Sequence, residues 1–185
     1  PGQEVGATMR ILADGAWGVH STTDISSIPL QVESTVKLAR AVASRRGIKD
    51  KPVSLAEVPI IEDSIHWNPR KDVRNTELNE KLDHLKILHE SSCDAQKIAS
   101  VICGWLDAHI HTEFMSSEGM NRVWSFQRSL VNATVTAREG SDVVSYRTRH
   151  GGEGGLELIE ACDLAELGNN AKISAIRLLK AERSP

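Results

Sequence analysis

SVICGWLDAHIHTEF (100–114), RVWSFQRSLVNATVTA (122–137) and DVVSYRTRH (142–150) succeed one another in the second half of this 185-residue chain. Branched and aromatic side chains recur through all three runs, and these are the types that sit best on a pleated, half-buried surface. SSEG (116–119) and REGSD (138–142) separate the runs, and both are rich in residues that close turns. Extended runs joined by short turns predict an antiparallel meander.

Outward from the meander the hydrophobic period changes from two to that of a helix. In NTELNEKLDHLKILHE (75–90), Leu78, Leu82, Leu85 and Leu88 form one stripe, with Glu77 and Lys81 spaced for a supporting pair, predicting a helix over 76–90. Downstream, Asp163 and Glu166 have capping-box spacing. Leu164, Leu167, Ala171, Ala175 and Leu178 continue as a stripe through a weak middle at Gly168, Asn169 and Asn170, predicting a closing helix over 163–182 with those three residues as the place for a kink. Upstream, SIPLQVESTVKLARAVASRRG (27–47) places Val32, Val36, Ala39 and Val42/Ala43 at helical steps, with Pro29 in the first turn, Arg45 and Arg46 in the last and Gly47 as the stop. This predicts a helix over 29–46. VGATMRILAD (5–14) reads as a strand, and PVSLAEVPII (52–61) has room for one or two short edge strands among the prolines 52, 59 and 69. The fold class is α+β: a mixed or antiparallel sheet with flanking helices. The expected division is a strand-helix unit with an extended linker, 1–75, followed by helix, meander and closing helix, 76–185.

Composition narrows the function classes. The net charge is −3, and basic residues are scattered rather than striped, which lacks the electrostatic footprint of a nucleic-acid binder. No apolar run approaches the roughly 18 residues a membrane helix requires, and no basic-then-apolar leader opens the sequence. Cys93, Cys103 and Cys162 are odd in number and widely spaced, a usage that fits a reducing, cytoplasmic setting without disulfides or a zinc knuckle. Pro1 in place of Met, and a Ser-Pro directly after a helical pattern, give both ends the look of a fragment cut from a longer chain.

Three short stretches invite a chemical reading. HIHTEF (109–114) puts His109, His111 and Glu113 on one strand face, a legitimate ligand set for zinc or iron. Outward positions on one strand repeat every ~6.5–7 Å, however, so one strand alone chelates poorly, and a wet meander face is the better reading. HESSCD (89–94) begins like a zincin helix but has Cys93 where the second His belongs, so His89 and Glu90 read as a solvated helix end. RHGGEGG (149–155) reads as a flexible loop rather than a phosphate cradle. No serine has a nucleophile-elbow setting and no cysteine an electropositive one. Catalytic, cofactor-binding and metal-binding residues are expected to be absent from this chain.

RILADGAWGVHSTTDIS (10–26) resembles the signature of the TldD/PmbA family, long named modulator of DNA gyrase, in which a strand runs into D-G-x-W-G-F-A-S-T-x-D. Val19 and His20 stand where Phe and Ala are commoner. The resemblance continues in order through KPVSLAEVPIIEDSIHWNPRKDV (51–73), NTELNEKLDHL (75–85), SSEGM (116–120) and ACDLAELGNNAKISAIRLLKAERSP (161–185). It implies the N-terminal and middle region of a cytoplasmic zinc metallopeptidase acting on flexible or unfolded peptides. The alternative it implies is a non-catalytic paralogue that serves as an interaction module for a catalytic subunit. The implied partners are the protein's own C-terminal domain, a second subunit in a homodimer or heterodimer, and a peptide substrate, with no membrane and no direct nucleic acid. Zinc is implied only for that C-terminal domain, where H-E-x-x-x-H supplies two His ligands and a general base. No such motif stands in this sequence, so the chain alone is expected to be inactive and without bound zinc. Asp14, Gly15, Trp17, Gly18 and Asp24 are the residues of interest, either as a tight structural turn or as part of a cleft wall. Turn chemistry alone accounts for their types.

Overall fold

A computed structural model describes residues 2–45, 51–93 and 96–181. The polypeptide forms two compact units, Pro1–Pro59 and Ile60–Pro185.

In the first unit, β1 (Ala7–Ala13) and β2 (Ala16–Thr22) form an antiparallel hairpin, followed by a 3-10 turn (Ile25–Ser27) and helix α1 (Ile28–Ala43). Ala13 pairs with Ala16, so Asp14 and Gly15 alone make the turn, with φ of 51° and 81°. Two positive φ values in a two-residue loop match the twist of the flanking strands, and Asp-Gly supplies them at low cost. The Asp24 carboxylate accepts a hydrogen bond from the Ser26 backbone N–H and caps the 3-10 turn, and Pro29 lies in the first turn of α1. The buried seam of α1 is Thr35, Ala39 and Ala43. The expected stripe centred on Val32 and Val36 is therefore rotated: small residues face the hairpin because Gly18 lets the helix backbone approach closely. A Cβ at Gly18 would lie 2.4 Å from the Thr35 carbonyl oxygen. Arg46 and Gly47, the expected end of this helix, lie outside the described residues.

Residues 52–61 hold no strand; the strand of this region begins one residue later, as β3 (Glu62–His66). Here the contact boundary at 59/60 differs from the expected 75/76 because residues 60–75 attach to the second unit. β3 joins its sheet, Val73 is buried with its N–H on Gln127 Oε1, and the Lys71 carbonyl accepts from Leu156 N–H.

The second unit is organised by β5 (Asn121–Glu139), 19 residues long. β4 (Ile98–Met115) runs antiparallel along one side of it. Two strands share the other side: β3, parallel, opposite 121–125, and β6 (Asp142–Glu153), antiparallel, opposite 128–139. The expected meander is thus β4-β5-β6, and β3 makes the sheet mixed. Every second β5 residue from Gln127 to Ala137 is buried, the alternation of a sheet with one covered face. Helices α2 (Leu78–Ser92), α3 (Leu156–Glu160) and α4 (Leu164–Leu178) contribute to that covering, with Leu88, Val131, Val135, Ile159 and Ala175 in one core. The chain is α+β.

Four local expectations need correction. The leucine stripe of α2 buries only at its C-terminal half: Leu88 is fully buried, but Leu78 is 69% exposed. Lys81 does not pair with Glu77 and instead reaches Asp107 on β4 at 2.5 Å. Gly168 is no weak point of the closing helix, since a Cβ there would lie 2.0 Å from Ser91 Oγ and 2.7 Å from the Leu88 carbonyl oxygen. α2 and α4 touch there because the side chain is missing. Finally, RHGGEGG is ordered, with 149–153 finishing β6 and Gly155 leading directly into α3. The expected closing helix is α4 alone, with Asp163 capping it through the Glu166 N–H, and the short α3 before it is an additional element.

Candidate functional site

Each unit presents one arrangement with functional potential. In the first, the Asp14 carboxylate sits 3.6 Å from the Arg40 guanidinium, and both side chains are exposed. The Gly15 carbonyl accepts from Val53 N–H at 2.8 Å, with Pro52 packed against the glycine where any Cβ would collide. Gly18, read with Gly15 as part of the tight turn, has no positive φ and instead serves the close approach to α1. Side chains alternate across a strand. Because Ala16 and Gly18 face α1, Trp17 projects from the opposite face, beside Leu12 and with the Arg10 guanidinium 4.7 Å from its ring centroid. Asp14, Gly15, Gly18 and Asp24 therefore shape the backbone, whereas Trp17 with Arg10 presents a cation-stacked aromatic surface.

In the second unit, parallel pairing of β3 with β5 sets His66 beside Ser125, and antiparallel pairing of β4 sets His111 on the other side of Ser125. His66 Nδ1 and Nε2 lie 2.8 Å from Ser125 Oγ and Ser64 Oγ, respectively. In the neutral ring one nitrogen donates and the other accepts, so the three groups form a hydroxyl-imidazole-hydroxyl chain able to relay a proton. A carboxylate orienting the imidazole, the third member of a hydrolytic triad, is replaced by a serine. One strand away, His111 Nε2 lies 3.1 Å from Glu113 Oε1. His109, His111 and Glu113 are all exposed on β4. Among the described residues, no three His, Cys, Asp or Glu side chains come together as a metal ligand set.

The sequence reading reached His111 and Glu113 but missed His66, Ser64 and Ser125. Their period-two spacing in EDSIH (62–66) was a visible signal; the parallel partner 59 residues away was not. Elsewhere, His89 Nδ1 lies 3.7 Å from Cys93 Sγ at an exposed helix end. Burial pushes the Cys103 thiol up, and burial followed by the Asp163 and Glu166 charges does the same to Cys162. Raised thiols are poor nucleophiles.

On the reverse face of the same sheet, Asp63 on β3 makes two hydrogen bonds to Arg122 on β5, at 2.8 and 3.0 Å. The guanidinium holds the Asp63 carboxyl below its usual range. Ile65, Val123 and Trp124 join the pair around a shallow hollow of about 170 Å³.

The chain is 28% identical over its whole length to a metalloprotease of Methanothermobacter thermautotrophicus, of which it spans 39%. Two solved structures share the fold. One, from Bacteroides thetaiotaomicron and described as a candidate modulator of DNA gyrase, matches with a TM-score of 0.75 at 17% identity over 97% of this chain and 40% of its own. The other, similarly described and from Thermotoga maritima, matches with a TM-score of 0.61 at 18% identity over 97% of this chain and 39% of its own. The PmbA/TldA metallopeptidase central domain matches residues 71–179, more than half of the sequence and all of it within the second unit. The chain belongs to the PmbA/TldA metallopeptidase family, with that central domain as its larger part.

Proposed function

We propose that this chain is the substrate-shaping and assembly portion of a cytoplasmic zinc metallopeptidase that cleaves flexible or unfolded peptides. The observation that carries the reading is the central-domain match over 71–179, within a chain that aligns end to end with two fifths of a metalloprotease. In the complete protein a separate domain with H-E-x-x-x-H holds zinc, supplying a metal-activated water. The residues present here bind and position. Trp17, stacked with Arg10 on the hairpin face turned away from α1, is the residue of its motif free to wall a peptide cleft. A second subunit, identical or paralogous, completes the assembly.

Two measurements test this. The coding sequence flanking these residues is expected to encode H-E-x-x-x-H; a full-length sequence without it points to the non-catalytic paralogue. The full-length protein is expected to cleave an unfolded peptide in a zinc-dependent, chelator-sensitive manner, while the 185-residue chain does not. Zinc-dependent cleavage by the chain alone overturns the assignment of chemistry to another domain.

A further inference from the structure

Two of the three cysteines meet where α2 lies on β4. The helix and the strand run in opposite directions, since Lys81 reaches Asp107 at 2.5 Å and, one turn later, the His84 ring stands 6.1 Å from the Trp105 ring. From Lys81 to Cys93, the residue that closes α2, the climb is about 18 Å at ~1.5 Å per residue. Over that length β4, at ~3.3 Å per residue, falls from Asp107 to about residue 102. Cys103 pairs with the buried Ala133, so it faces the helices, and it packs against the core that holds Leu88 of α2. The helix therefore delivers Cys93 beside Cys103. Burial first, and then the charge of a Cys93 thiolate, push the Cys103 thiol up. Cys93 itself is exposed and has left the helix with φ −79° and ψ 150°, and His89 Nδ1 and Nε2 lie 3.7 and 4.0 Å from its sulfur. Cys162 stands apart, since the charges acting on its thiol are Asp163 and Glu166.

We propose that Cys93 and Cys103 are a reversible oxidation site, at which hydrogen peroxide converts the two thiols to a disulfide that clasps the end of α2 to β4. Peptidase chemistry has no part in it. His89 takes the proton of the Cys93 thiol, and the thiolate, which is the reactive form, attacks one peroxide oxygen. An S–O bond forms, the O–O bond breaks, and the departing hydroxide recovers the proton from the imidazolium and leaves as water. Cys93 is then a neutral sulfenic acid, which condenses with a neighbouring thiol. The thiolate charge that opposed ionisation of Cys103 has disappeared with this step, so the two sulfurs react in order. The Cys103 sulfur attacks that of Cys93; the S–S bond forms, the S–O bond breaks, and the hydroxyl leaves with the Cys103 proton as water. Each sulfur is oxidised by one electron and the peroxide is reduced by two, so two thiols and one peroxide give one disulfide and two waters. Exchange with an added dithiol restores both thiols.

The reduced 185-residue chain is treated with hydrogen peroxide under native conditions, alkylated and mapped by peptide mass spectrometry, beside Cys93→Ser, Cys103→Ser, Cys162→Ser and His89→Gln. The unsubstituted chain and Cys162→Ser are expected to give one intrachain disulfide, between Cys93 and Cys103, that dithiothreitol reverses. Cys103→Ser is expected to stop at a Cys93 sulfenic acid trapped by dimedone, and Cys93→Ser to leave Cys103 reduced. His89→Gln is expected to slow disulfide formation at least about threefold, because less Cys93 thiolate is then supplied. A disulfide through Cys162 or between chains, passage of Cys93 to the sulfinic acid with Cys103 untouched, oxidation of Cys103 in Cys93→Ser, or an unchanged rate in His89→Gln overturns the proposal. Circular dichroism checks the fold of each variant, and Cys103→Ala replaces Cys103→Ser if the serine disturbs the core. None of these readings depends on peptidase activity, so their failure leaves the metallopeptidase reading standing.

Discussion

Gly18 and Gly168 each hold an approach of backbone to neighbour that no side chain allows. Gly18→Ala drives a methyl into the Thr35 carbonyl, a backbone atom that cannot step aside, and is expected to destabilise the first unit by about 1–3 kcal/mol, read in a denaturant titration. Gly168→Ala meets Ser91 Oγ and the Leu88 carbonyl and is expected to cost a similar ~1–3 kcal/mol in the second unit. Trp17→Ala is expected to cost clearly less than the ~3–5 kcal/mol of a fully buried aromatic, because the ring is half-buried and lies on the hairpin face opposite α1. A loss in the full buried range means that another segment covers Trp17. At this scale the Asp-Gly turn was legible, since only a few residue types tolerate two positive φ values in succession. The roles of Gly18 and Gly168 were not, because a close approach depends on the partner helix and leaves no mark in local sequence.

Among the elements, the junction of residues 69–73 with α3 shows how a loop without regular structure is fixed. Glu157 accepts backbone hydrogen bonds from Arg70, Lys71 and Gly155. Burial opposes ionisation of Glu157, but these donors together hold its carboxyl below the usual range. Arg74 does the same to Asp72, despite some burial. A carboxyl depressed in the folded state contributes stability above its unfolded pKa and loses it as pH falls through the folded one. The melting temperature is therefore expected to fall as pH drops below about 4, and Glu157→Gln, whose amide nitrogen cannot accept a hydrogen bond, is expected to show a lower melting temperature at neutral pH and a flatter acid dependence. An unchanged acid profile in the variant counts against this account. The helices and the β4-β5-β6 meander were readable here from period and turn residues. The staple was not, because its partners are 86 and 87 residues apart. RHGGEGG misled for a related reason: glycines chosen for close contact with Ser129, Leu158 and Lys71 look the same in sequence as glycines chosen for freedom.

On the scale of the whole molecule, residues 60–185 carry their own core and are expected to fold when expressed alone, with a cooperative unfolding transition and retained near-ultraviolet dichroism from Trp105 and Trp124. A non-cooperative transition refutes that independence. The family was legible in sequence because short motifs occurred in the right order over most of the chain, and so was a mixed or antiparallel sheet; the parallel pairing of β3 with β5 was not, because it joins residues with no local signature in common. That pairing also orders events in time. β4, β5 and β6 follow one another through short turns and can zip as neighbours, while Asp63 must find Arg122 across 59 residues. Closing so long a loop before any contact rewards it is slow. The edge where His66 meets Ser125 is thus expected to be the last part of the sheet to form and the first to open, with the amides of residues 62–66 exchanging fastest among the strands of the second unit.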